Sequence, residues 1–599
     1  MSIVVGIDLG TTNSLVAYVR PGSRSARPEI IPNGHGHRLT PSVVGVDEAG
    51  RVHVGETAKR QLIVAPERTA AEMKRLMGTS TRVVLGGRSY TPQELSAFVL
   101  RRLKDDAERH LGERVDEAVV TVPAYFTDSQ RQATKDAGEL AGFRVERIIN
   151  EPTAAALAYG IDHLEAEQYV LVYDLGGGTF DVSVLEMFDG VLDVKASAGN
   201  NQLGGSDFDR RIVDYLVAQF RRDHGVDLAS DVRAMARLKA AAELAKHEVS
   251  TRETTTVMLP FLAHARGQPL SLECEFSREQ LELLVEDLIT STLDPVDQAL
   301  RDARLKPSQI HEVVLVGGSS RIPMVQAMLS DKFGRAPRRD VHPDEAIALG
   351  AAVQAALTSG ALDRGGIMIT DVCPFTLGVE VVGSVPGGGQ RLPGMFSPIL
   401  PRNTTIPVER TETYATTVDR QTHVDIKVFQ GDSKLVRHNA FLDEYTIDGI
   451  PPAPAGQERI AVTFAYDVNG ILRVTTRVLA TGREASLTIT RSAKRMSDEE
   501  RSVARARVAS EWSGVTTPPP TAPAAKTDPH IPIPPMGIDL GAVRALVTNV
   551  ERRAAGMDDY GRARMLDLVA QMKRAAARDD AALVERLEGA LADLLLELG

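Results

Sequence analysis

Cysteine, tryptophan and long apolar runs are scarce in this chain of 599 residues. Its two cysteines, Cys274 and Cys373, lie outside any Cys-x-x-Cys spacing, which argues against a disulfide framework and against a zinc site. No apolar run approaches the ~18 residues that cross a membrane. The first residues also lack the basic segment that opens a secretory leader. We therefore expect a reduced, cytoplasmic protein that does not insert into membranes.

A surplus of basic charge and three common catalytic motifs are missing as well. The 69 Lys and Arg residues face 80 Asp and Glu residues, so the formal net charge is −11. Proteins that bind nucleic acid regardless of sequence need a basic face that displaces counterions, and we therefore expect no nucleic-acid partner. The sequence contains no GxxxxGKS, GxxxxGKT, GxSxG or HExxH motif, which excludes a P-loop nucleotidase.

Regular patterning is abundant, and it changes along the chain. Residues 1–363 alternate short β-rich runs with Ala-rich helical stretches, which is typical of an α/β domain. Thr91 and Glu94, for example, have the spacing of a capping box at the start of a helix. Residues 373–492 show period-two alternation and frequent turn signals, which are typical of an antiparallel β-sandwich. Residues 364–372 form a glycine-led linker between these two domains.

Prolines divide the C-terminal part of the sequence. A second capping-box pattern predicts a short helix within residues 493–514. Residues 515–536 hold 8 prolines in 22 positions, a composition that favours an extended linker. Apolar residues at helical spacing within 537–599 then predict a helical tail.

Three glycine-rich turns, each after a predicted strand, carry the strongest chemical signal. They are residues 8–14 (DLGTTNS), 174–181 (DLGGGTFD) and 317–321 (GGSSR). Tight glycine turns let backbone N–H groups approach phosphate oxygens, and threonine hydroxyls add uncharged donors. The leading aspartates suit a Mg²⁺ ion that keeps part of its water shell. One such turn is often only a bend, but two Asp-led turns indicate a duplicated domain with a nucleotide between its halves.

Further motifs identify a family resemblance. The two Asp-led turns resemble the phosphate loops of the superfamily of actin, sugar kinases and heat-shock chaperones, and other runs narrow the resemblance to the DnaK-type heat-shock chaperones. Those runs are VPAYF (122–126), RIINEPTAAA (147–156), LGGSDFD (203–209), VLVGGSSRIP (314–323), PDEA (343–346) and RNTTIP (402–407). Within the family, TDVCPFTLGVEV (370–381), FSPI (396–399) and the shortened lid most resemble the HscC subgroup.

The resemblance implies an actin-like ATPase domain with duplicated ribonuclease-H-like halves, followed by a β-sandwich peptide-binding domain and a short α-helical C-terminal region. It also implies ATP or ADP, Mg²⁺ and K⁺ as cofactors. The implied catalytic residues are Lys74, Glu151, Thr179 and Asp181, and the implied metal residues are Asp8, Asp174 and Asp181. The implied nucleotide-binding residues are Gly10, Thr11, Thr12, Asn13, Gly176, Gly177, Gly178, Gly204, Gly205, Glu243, Lys246, Ser250, Gly317, Gly318, Ser319, Arg321 and Asp344.

In the β region the resemblance implies a groove that binds extended, hydrophobic segments of unfolded polypeptides. Its implied residues are Val379, Val382, Tyr414, Thr417, Val424 and Ile426. Pro123, Arg131, Arg147 and Asp371 are implied to couple this groove to the nucleotide. The implied partners are client peptides, a J-domain co-chaperone and a nucleotide exchange factor.

Several readings stay open at this point. The stripe of Glu243, Lys246 and Ser250 also suits a solvent-exposed helix face, and Val424 and Ile426 also suit the core of a sandwich. An actin-like small-molecule kinase shares the phosphate turns, and a regulatory binding module with a degenerate ATPase is a third alternative.

Four features depart from the common DnaK pattern. They are His247 beside the adenine position, Thr370 in place of a linker leucine, a Gly/Pro-rich insertion at 383–393 and the short lid. We expect Thr370 to weaken linker docking and the short lid to speed peptide exchange.

Overall fold

The computed structural model describes residues 3–20, 27–160, 167–265, 268–338, 342–362, 367–384, 391–488, 496–512 and 568–571. The chain divides into two compact units, Met1–Pro518 and Pro519–Gly599. In the second unit, residues 568–571 are helical. The predicted proline-rich linker and the rest of the predicted tail lie outside the described residues. All elements named below belong to the first unit.

Strands and helices alternate over the first segment of the chain. They are β1 (Val4–Asp8), β2 (Asn13–Val19), β3 (Pro28–Ile31), β4 (Thr40–Pro41), β5 (Val43–Val46), β6 (Val52–Val54), α1 (Glu56–Val64), β7 (Thr69–Ala71), β8 (Val83–Leu85), β9 (Arg88–Tyr90), α2 (Pro92–Leu111), β10 (Glu117–Val122), α3 (Asp128–Leu140), β11 (Arg144–Asn150) and α4 (Glu151–Gly160). The main sheet has the order β11-β10-β1-β2-β3. The predicted capping box of α2 is confirmed, since Thr91 Oγ1 accepts from Glu94 N and Glu94 Oε2 accepts from Thr91 N.

The second segment repeats this strand arrangement. Its elements are β12 (Gln168–Leu175), β13 (Phe180–Phe188), β14 (Val191–Asn200), α5 (Gly205–His224), α6 (Val232–Thr251), β15 (Thr254–Ala265), β16 (Gln268–Ser277), α7 (Arg278–Thr290), α8 (Leu293–Ala303), β17 (Glu312–Val316), α9 (Pro323–Phe333), α10 (Ala346–Thr358) and β18 (Met368–Ile369). The sheet order is β17-β12-β13-β14-β18. β12 is parallel to β17 and antiparallel to β13, as β1 is to β10 and β2.

Helices α4 and α10 join the two sheets through a common apolar cluster. Ala154 of α4, Ala352 of α10 and Val172 of β12 are buried within it, together with residues of β1 and β2. Small side chains let these helices approach the strands closely, because alanine adds little bulk beyond the backbone. The two halves of the α/β region therefore pack against each other through this cluster.

Residues from 371 onward form mostly antiparallel strands. They are β19 (Asp371–Cys373), β20 (Leu377–Ser384), β21 (Arg391–Leu400), β22 (Thr404–Ile406), β23 (Val408–Ala415), β24 (His423–Gln430), β25 (Ala440–Asp448), β26 (Arg459–Tyr466), β27 (Leu472–Val478) and β28 (Glu484–Thr488). Two four-stranded sheets, β21-β20-β24-β25 and β23-β26-β27-β28, contribute to one buried cluster. We call this part of the chain the β region.

Helix α11 (Asp498–Trp512) packs on the first α/β segment. Val508 and Trp512 belong to the same buried cluster as Phe98 of α2. The Trp512 ring stacks on Phe98 with centroids 6.3 Å apart, and Trp512 Nε1 donates to Asp105 Oδ2 at 2.8 Å. Among the described residues, no helix combines the length and apolar content needed to span a bilayer.

Candidate nucleotide-binding site

The three glycine turns meet at one cavity of about 1090 Å³. Each turn follows the carboxyl end of a strand, namely β1, β12 or β17. The first two turns are so close that a Cβ atom on Gly177 would lie 2.1 Å from Thr12 Oγ1. Glycine is therefore required at this contact, where exposed backbone N–H groups can bind phosphate oxygens.

Most of the residues predicted for the nucleotide lie on this single cavity. Those that line it are Asp8, Gly10, Thr11, Thr12, Asn13, Lys74, Glu151, Asp174, Gly176, Gly177, Thr179, Gly205, Glu243, Lys246, Ser250, Gly317, Gly318, Ser319, Arg321 and Asp344. Three predicted residues, Gly178, Gly204 and Asp181, are not among the lining residues. Gly204 packs against the backbone of the second turn, because a Cβ atom on Gly204 would lie 2.5 Å from Gly178 N.

A buried lysine lies among buried carboxyl groups on the cavity wall. Lys74 Nζ donates to Glu151 Oε1, and each of these side chains is only 5% exposed. Burial, with the nearby charge of Glu151, raises the pKa of Asp8 to about 7 and raises that of Asp174 well above its usual value. Burial opposes the charge on Lys74, but Glu151 and Asp8 still raise its pKa. Around Lys74 the cavity wall therefore carries three carboxyl groups and one amine.

Asp181 lies next to this cluster, but it is not among the residues that line the cavity. Its side chain is fully buried, and its Oδ1 accepts a hydrogen bond from Tyr125 N at 3.1 Å. Its Oδ2 is buried with no hydrogen-bond partner among the described residues. Burial and the charge of Glu151 raise the pKa of Asp181 to about 7.

These carboxyl groups fit a cation that arrives with phosphate. Among the described residues, no three His, Cys, Asp or Glu side chains are arranged to hold a metal ion alone. Mg²⁺ usually takes one or two carboxylates and completes its shell with water and substrate phosphates, which suits Asp8 and Asp174 beside the glycine turns. The unpartnered oxygen of Asp181 agrees with this, since a nearby cation would stabilise its charged form.

The polar stripe of α6 lines the cavity and is not a solvent-exposed face. Lys246 Nζ contacts Asp209 Oδ1 at 2.7 Å and donates to Gly205 O at 3.0 Å. Glu243 Oε1 accepts from Lys59 Nζ at 3.1 Å. His247 also lines the cavity, and burial together with the charge of Lys246 lowers its pKa. On another wall, Arg321 donates to Asp344 at 2.6 Å.

Met368 and Ile369 of the predicted linker extend the second sheet as β18. β18 runs parallel to β14, and Thr370 N donates to Leu192 O at 3.0 Å. The Thr370 hydroxyl also donates to Asp193 Oδ1. The Thr370 hydroxyl therefore makes a hydrogen bond at the position where the common DnaK pattern has an apolar leucine. This hydrogen bond offsets the weaker linker docking that we expect from the loss of the leucine side chain.

The predicted coupling residues gather where the linker ends. Arg131 donates to Asn150 Oδ1 at 2.7 Å, and Asn150 Nδ2 donates to Asp371 Oδ1 at 2.8 Å. Burial lowers the pKa of Arg147, although the nearby Asp371 opposes this effect. Pro123 begins the turn in which Phe126 N donates to Pro123 O at 3.1 Å. Sequence reasoning missed Asn150, which bridges Arg131 and Asp371.

The β region and the α/β region share polar contacts that no local motif signals. Leu472 N donates to Asp128 Oδ1 at 3.1 Å, and Ile148 N donates to Asn469 Oδ1 at 3.0 Å. On the second α/β segment, Asp302 accepts from Arg402 at 3.0 Å and from Asn403 at 2.9 Å. We call this arrangement the docked arrangement. The partners lie about 100 or more residues apart in sequence, so their proximity follows from the fold alone.

The six predicted groove residues are not equally accessible. Val379 and Ile426 are 2% and 7% exposed within the core of the β region. Val424 and Tyr414 are half-buried against that core, and the Tyr414 hydroxyl lies 3.0 Å from Ser397 Oγ. Thr417 is half-buried, and Val382 is 42% exposed. In the docked arrangement Ile426 therefore lies in the core of the β region, which is the alternative that the sequence left open for it.

Comparisons with known proteins agree with this combination of cavity and β region. The family model described as Hsp70 protein matches residues 4–84 and 80–581. The chain belongs to the Hsp70 family. The chaperone protein DnaK of Thermotoga neapolitana is 52% identical over 490 residues, which are 81% of this chain and 80% of that protein. The DnaK of Thermosipho africanus is 51% identical over 488 residues, which are 81% of this chain and 79% of that protein.

Membership in the Hsp70 family makes this protein an ATP-dependent chaperone and an ATPase. It binds ATP and ADP, and its clients are polypeptides. The relatives named above support the predicted DnaK type, and they do not support the narrower prediction of the HscC subgroup.

Proposed function

We propose that this Hsp70 protein hydrolyses ATP in the cavity described above and uses the reaction to bind and release extended hydrophobic segments of unfolded polypeptides. The observation that carries the proposal is the buried Lys74–Glu151 pair, set among acidic groups where three glycine turns meet. Phosphoryl transfer to water needs positioning and neutralisation of charge more than covalent chemistry. The cavity offers both.

Each side chain then has a distinct task. Lys74 stabilises the charge that develops on the transferred phosphoryl group, and Glu151 and Asp181 orient the attacking water. Thr11, Thr12 and Thr179 donate hydroxyl hydrogen bonds to phosphate oxygens, while Gly205, Lys246, Arg321 and the rest of the cavity lining hold the nucleoside. Mg²⁺ would be held by Asp8 and Asp174, with K⁺ nearby, and would neutralise phosphate charge when bound.

Nucleotide and client are coupled through the linker in this proposal. ATP favours the docked arrangement and fast peptide exchange, and ADP favours undocking and slow exchange, as linkage requires. Pro123, Arg131, Arg147 and Asp371 carry the coupling. A J-domain protein and a nucleotide exchange factor act as partners, and the protein works in the cytoplasm.

The proposed peptide groove lies along strands of the β region and uses the six predicted residues. Extended peptides are held by main-chain hydrogen bonds, and apolar pockets select alternate side chains. Val382, Tyr414, Thr417 and Val424 are the members with exposed surface. For Val379 and Ile426 the proposal requires the loops around them to open when a peptide binds.

At the level of architecture we propose an actin-like domain of two ribonuclease-H-like halves followed by a β-sandwich. The repeated strand order of the two α/β sheets supports this description. The HscC subgroup remains a hypothesis that rests on residues 370–381, residues 396–399 and the short lid. A peptide release rate from the ADP state well above that of a lidded DnaK would support it.

ATP turnover measured alone, with an unfolded polypeptide and with a J-domain protein tests the proposal. We expect a slow basal rate that rises several-fold with the unfolded polypeptide and rises further with the J-domain protein. The same polypeptide in its folded form is the control and should not stimulate. Turnover that depends on a small-molecule phosphate acceptor would indicate a kinase instead. Nucleotide binding without turnover would indicate a regulatory module.

A further inference from the structure

One buried serine outside the predicted site holds the first glycine turn, residues 8–14. Ser42 Oγ donates to Gly10 O at 2.8 Å, and Ser42 N donates to Thr12 O at 2.8 Å. Ser42 is buried and directly follows β4, whereas both carbonyls belong to the turn between β1 and β2. Gly10 and Thr12 line the nucleotide cavity, and Ser42 is not among the lining residues. Ser42 therefore contacts the turn on a side that does not form the cavity wall.

These two hydrogen bonds fix the direction in which two peptide groups of the turn point. In a trans peptide the C=O group and the following N–H group point in opposite directions. Because Ser42 holds the carbonyls of Gly10 and Thr12, the N–H groups of Thr11 and Asn13 point away from Ser42. Thr11 and Asn13 line the cavity, where such N–H groups can bind phosphate oxygens. A flipped peptide would instead present a carbonyl oxygen to the phosphate, and that contact is repulsive.

A second serine orients the hydroxyl of Ser42. Ser14 Oγ lies 2.9 Å from Ser42 Oγ, and both side chains are buried. A hydroxyl has one hydrogen to donate, and Ser42 donates its hydrogen to Gly10 O, so Ser14 is the donor in this pair. The second glycine turn has a comparable support, since Ser319 Oγ donates to Gly176 O at 3.0 Å. Serine hydroxyls thus hold carbonyl oxygens of both turns.

We propose that Ser42 is a positioning residue for the phosphates of ATP. It keeps N–H groups of the first glycine turn directed at the phosphate oxygens without lining the cavity itself. Donors that are oriented in advance need no reorganisation when the charged group arrives. The inference rests on the proposed function, in which the phosphates lie against the glycine turns. It predicts an effect on the phosphate part of the ligand alone, because other walls of the cavity hold the nucleoside.

Binding of ATP and of adenosine to the full chain, measured within the first turnover, tests the inference. Ser42→Ala removes the bond to Gly10 O and should weaken ATP binding about fivefold or more, which is a common effect of losing one hydrogen bond. Adenosine has no phosphate, so its affinity should not change. Ser42→Thr keeps the hydroxyl and should bind ATP as the unmodified chain does. Unchanged ATP binding by Ser42→Ala overturns the inference, and so does an equal loss for ATP and adenosine.

Thr292→Val is the matched control for the loss of a buried hydroxyl. Thr292 Oγ1 donates to Ile289 O at 2.6 Å and accepts from the Tyr173 hydroxyl at 2.8 Å, which are the same two kinds of bond that Ser42 Oγ makes. Thr292 is fully buried and is not among the residues that line the cavity. Thr292→Val should lower the thermal unfolding temperature, as Ser42→Ala does, and leave ATP binding unchanged. Weaker ATP binding in this control would overturn the inference.

A second variant decides the question if Ser42→Ala does not fold. Ser14→Ala removes only the bond that orients the Ser42 hydroxyl, so it should weaken ATP binding about twofold and leave adenosine binding unchanged. Equal affinities of Ser14→Ala and the unmodified chain for ATP would then overturn the inference. Failure of the proposed function would look different, because the unmodified chain would bind ATP without hydrolysing it.

Discussion

In the nucleotide cavity Lys74 lies among three buried carboxyl groups, with Asp181 beside them, whereas in the β region Val379 and Ile426 pack against apolar neighbours. The charges of the cavity residues are not balanced by other protein groups without a ligand. The apolar residues of the β region need no ligand, because they bury one another's surfaces. A binding site built from charges is therefore visible in the folded chain before the ligand arrives. A site built from apolar strands can look like ordinary core until a peptide separates its parts.

We expect the largest effect from a substitution in the nucleotide cavity. Lys74→Ala should slow ATP hydrolysis by at least about 100-fold, since a single preorganised charge at a developing oxyanion is commonly worth that much. Single-turnover hydrolysis measures the change, and thermal unfolding of the β region should stay unaltered.

A matched lysine is available as the control for that variant. The Lys104 side chain is also 5% exposed and ion-paired, with Asp116 at 3.2 Å, but it lies outside the cavity. Lys104→Ala should cost stability and keep its hydrolysis rate per folded molecule. Normal turnover by Lys74→Ala would remove this residue from the mechanism.

We expect the second largest effect from a substitution in the β region. Val424→Asp should weaken the binding of an unfolded peptide about tenfold or more, because a charge replaces an apolar group in the proposed groove. Fluorescence anisotropy of a labelled peptide measures affinity, and circular dichroism checks the fold. Val468→Asp, at a residue that is 43% exposed, is the control. Unchanged affinity would assign Val424 to the core of the β region and would contradict the proposed position of the peptide groove.

We expect the smallest effect from a substitution in the linker between the α/β region and the β region. Thr370→Val removes the hydrogen bond to Asp193 and should shift the docking equilibrium about two- to tenfold toward undocking, since one such bond is worth about 0.5–1.5 kcal/mol. Amide exchange of Leu472 in ATP reports the shift. Thr370→Ser keeps the hydroxyl and should behave as the unmodified chain. Equal protection in all three proteins would show that the hydroxyl does not hold the linker.

Local chemistry explains how much of this molecule could be predicted from its sequence. The glycine turns, Lys74 and the stripe of α6 each carry a short signature, and the fold brings them to one cavity. The contacts that Asp128 and Asp302 make with the β region had no such signature. They join segments that are far apart in sequence, and no spacing of residues encodes them.

The β region was predictable in class but not in detail, for a related reason. Alternation along β24 and β26 signals antiparallel strands with one buried face. It cannot tell a residue that lines a groove from one that fills a core, because both lie on the same face of a strand. Ile426 shows this, since its burial suits either role until a peptide is bound.

The chain's one tryptophan, at the end of α11, has a practical consequence. Its indole is stacked on Phe98 and its N–H is bound to a carboxylate, so its emission depends on whether α11 rests on the α/β region. No other indole contributes to the spectrum. The unlabelled protein therefore contains its own optical probe, and stopped-flow fluorescence can time the arrival and departure of this helix through each nucleotide cycle.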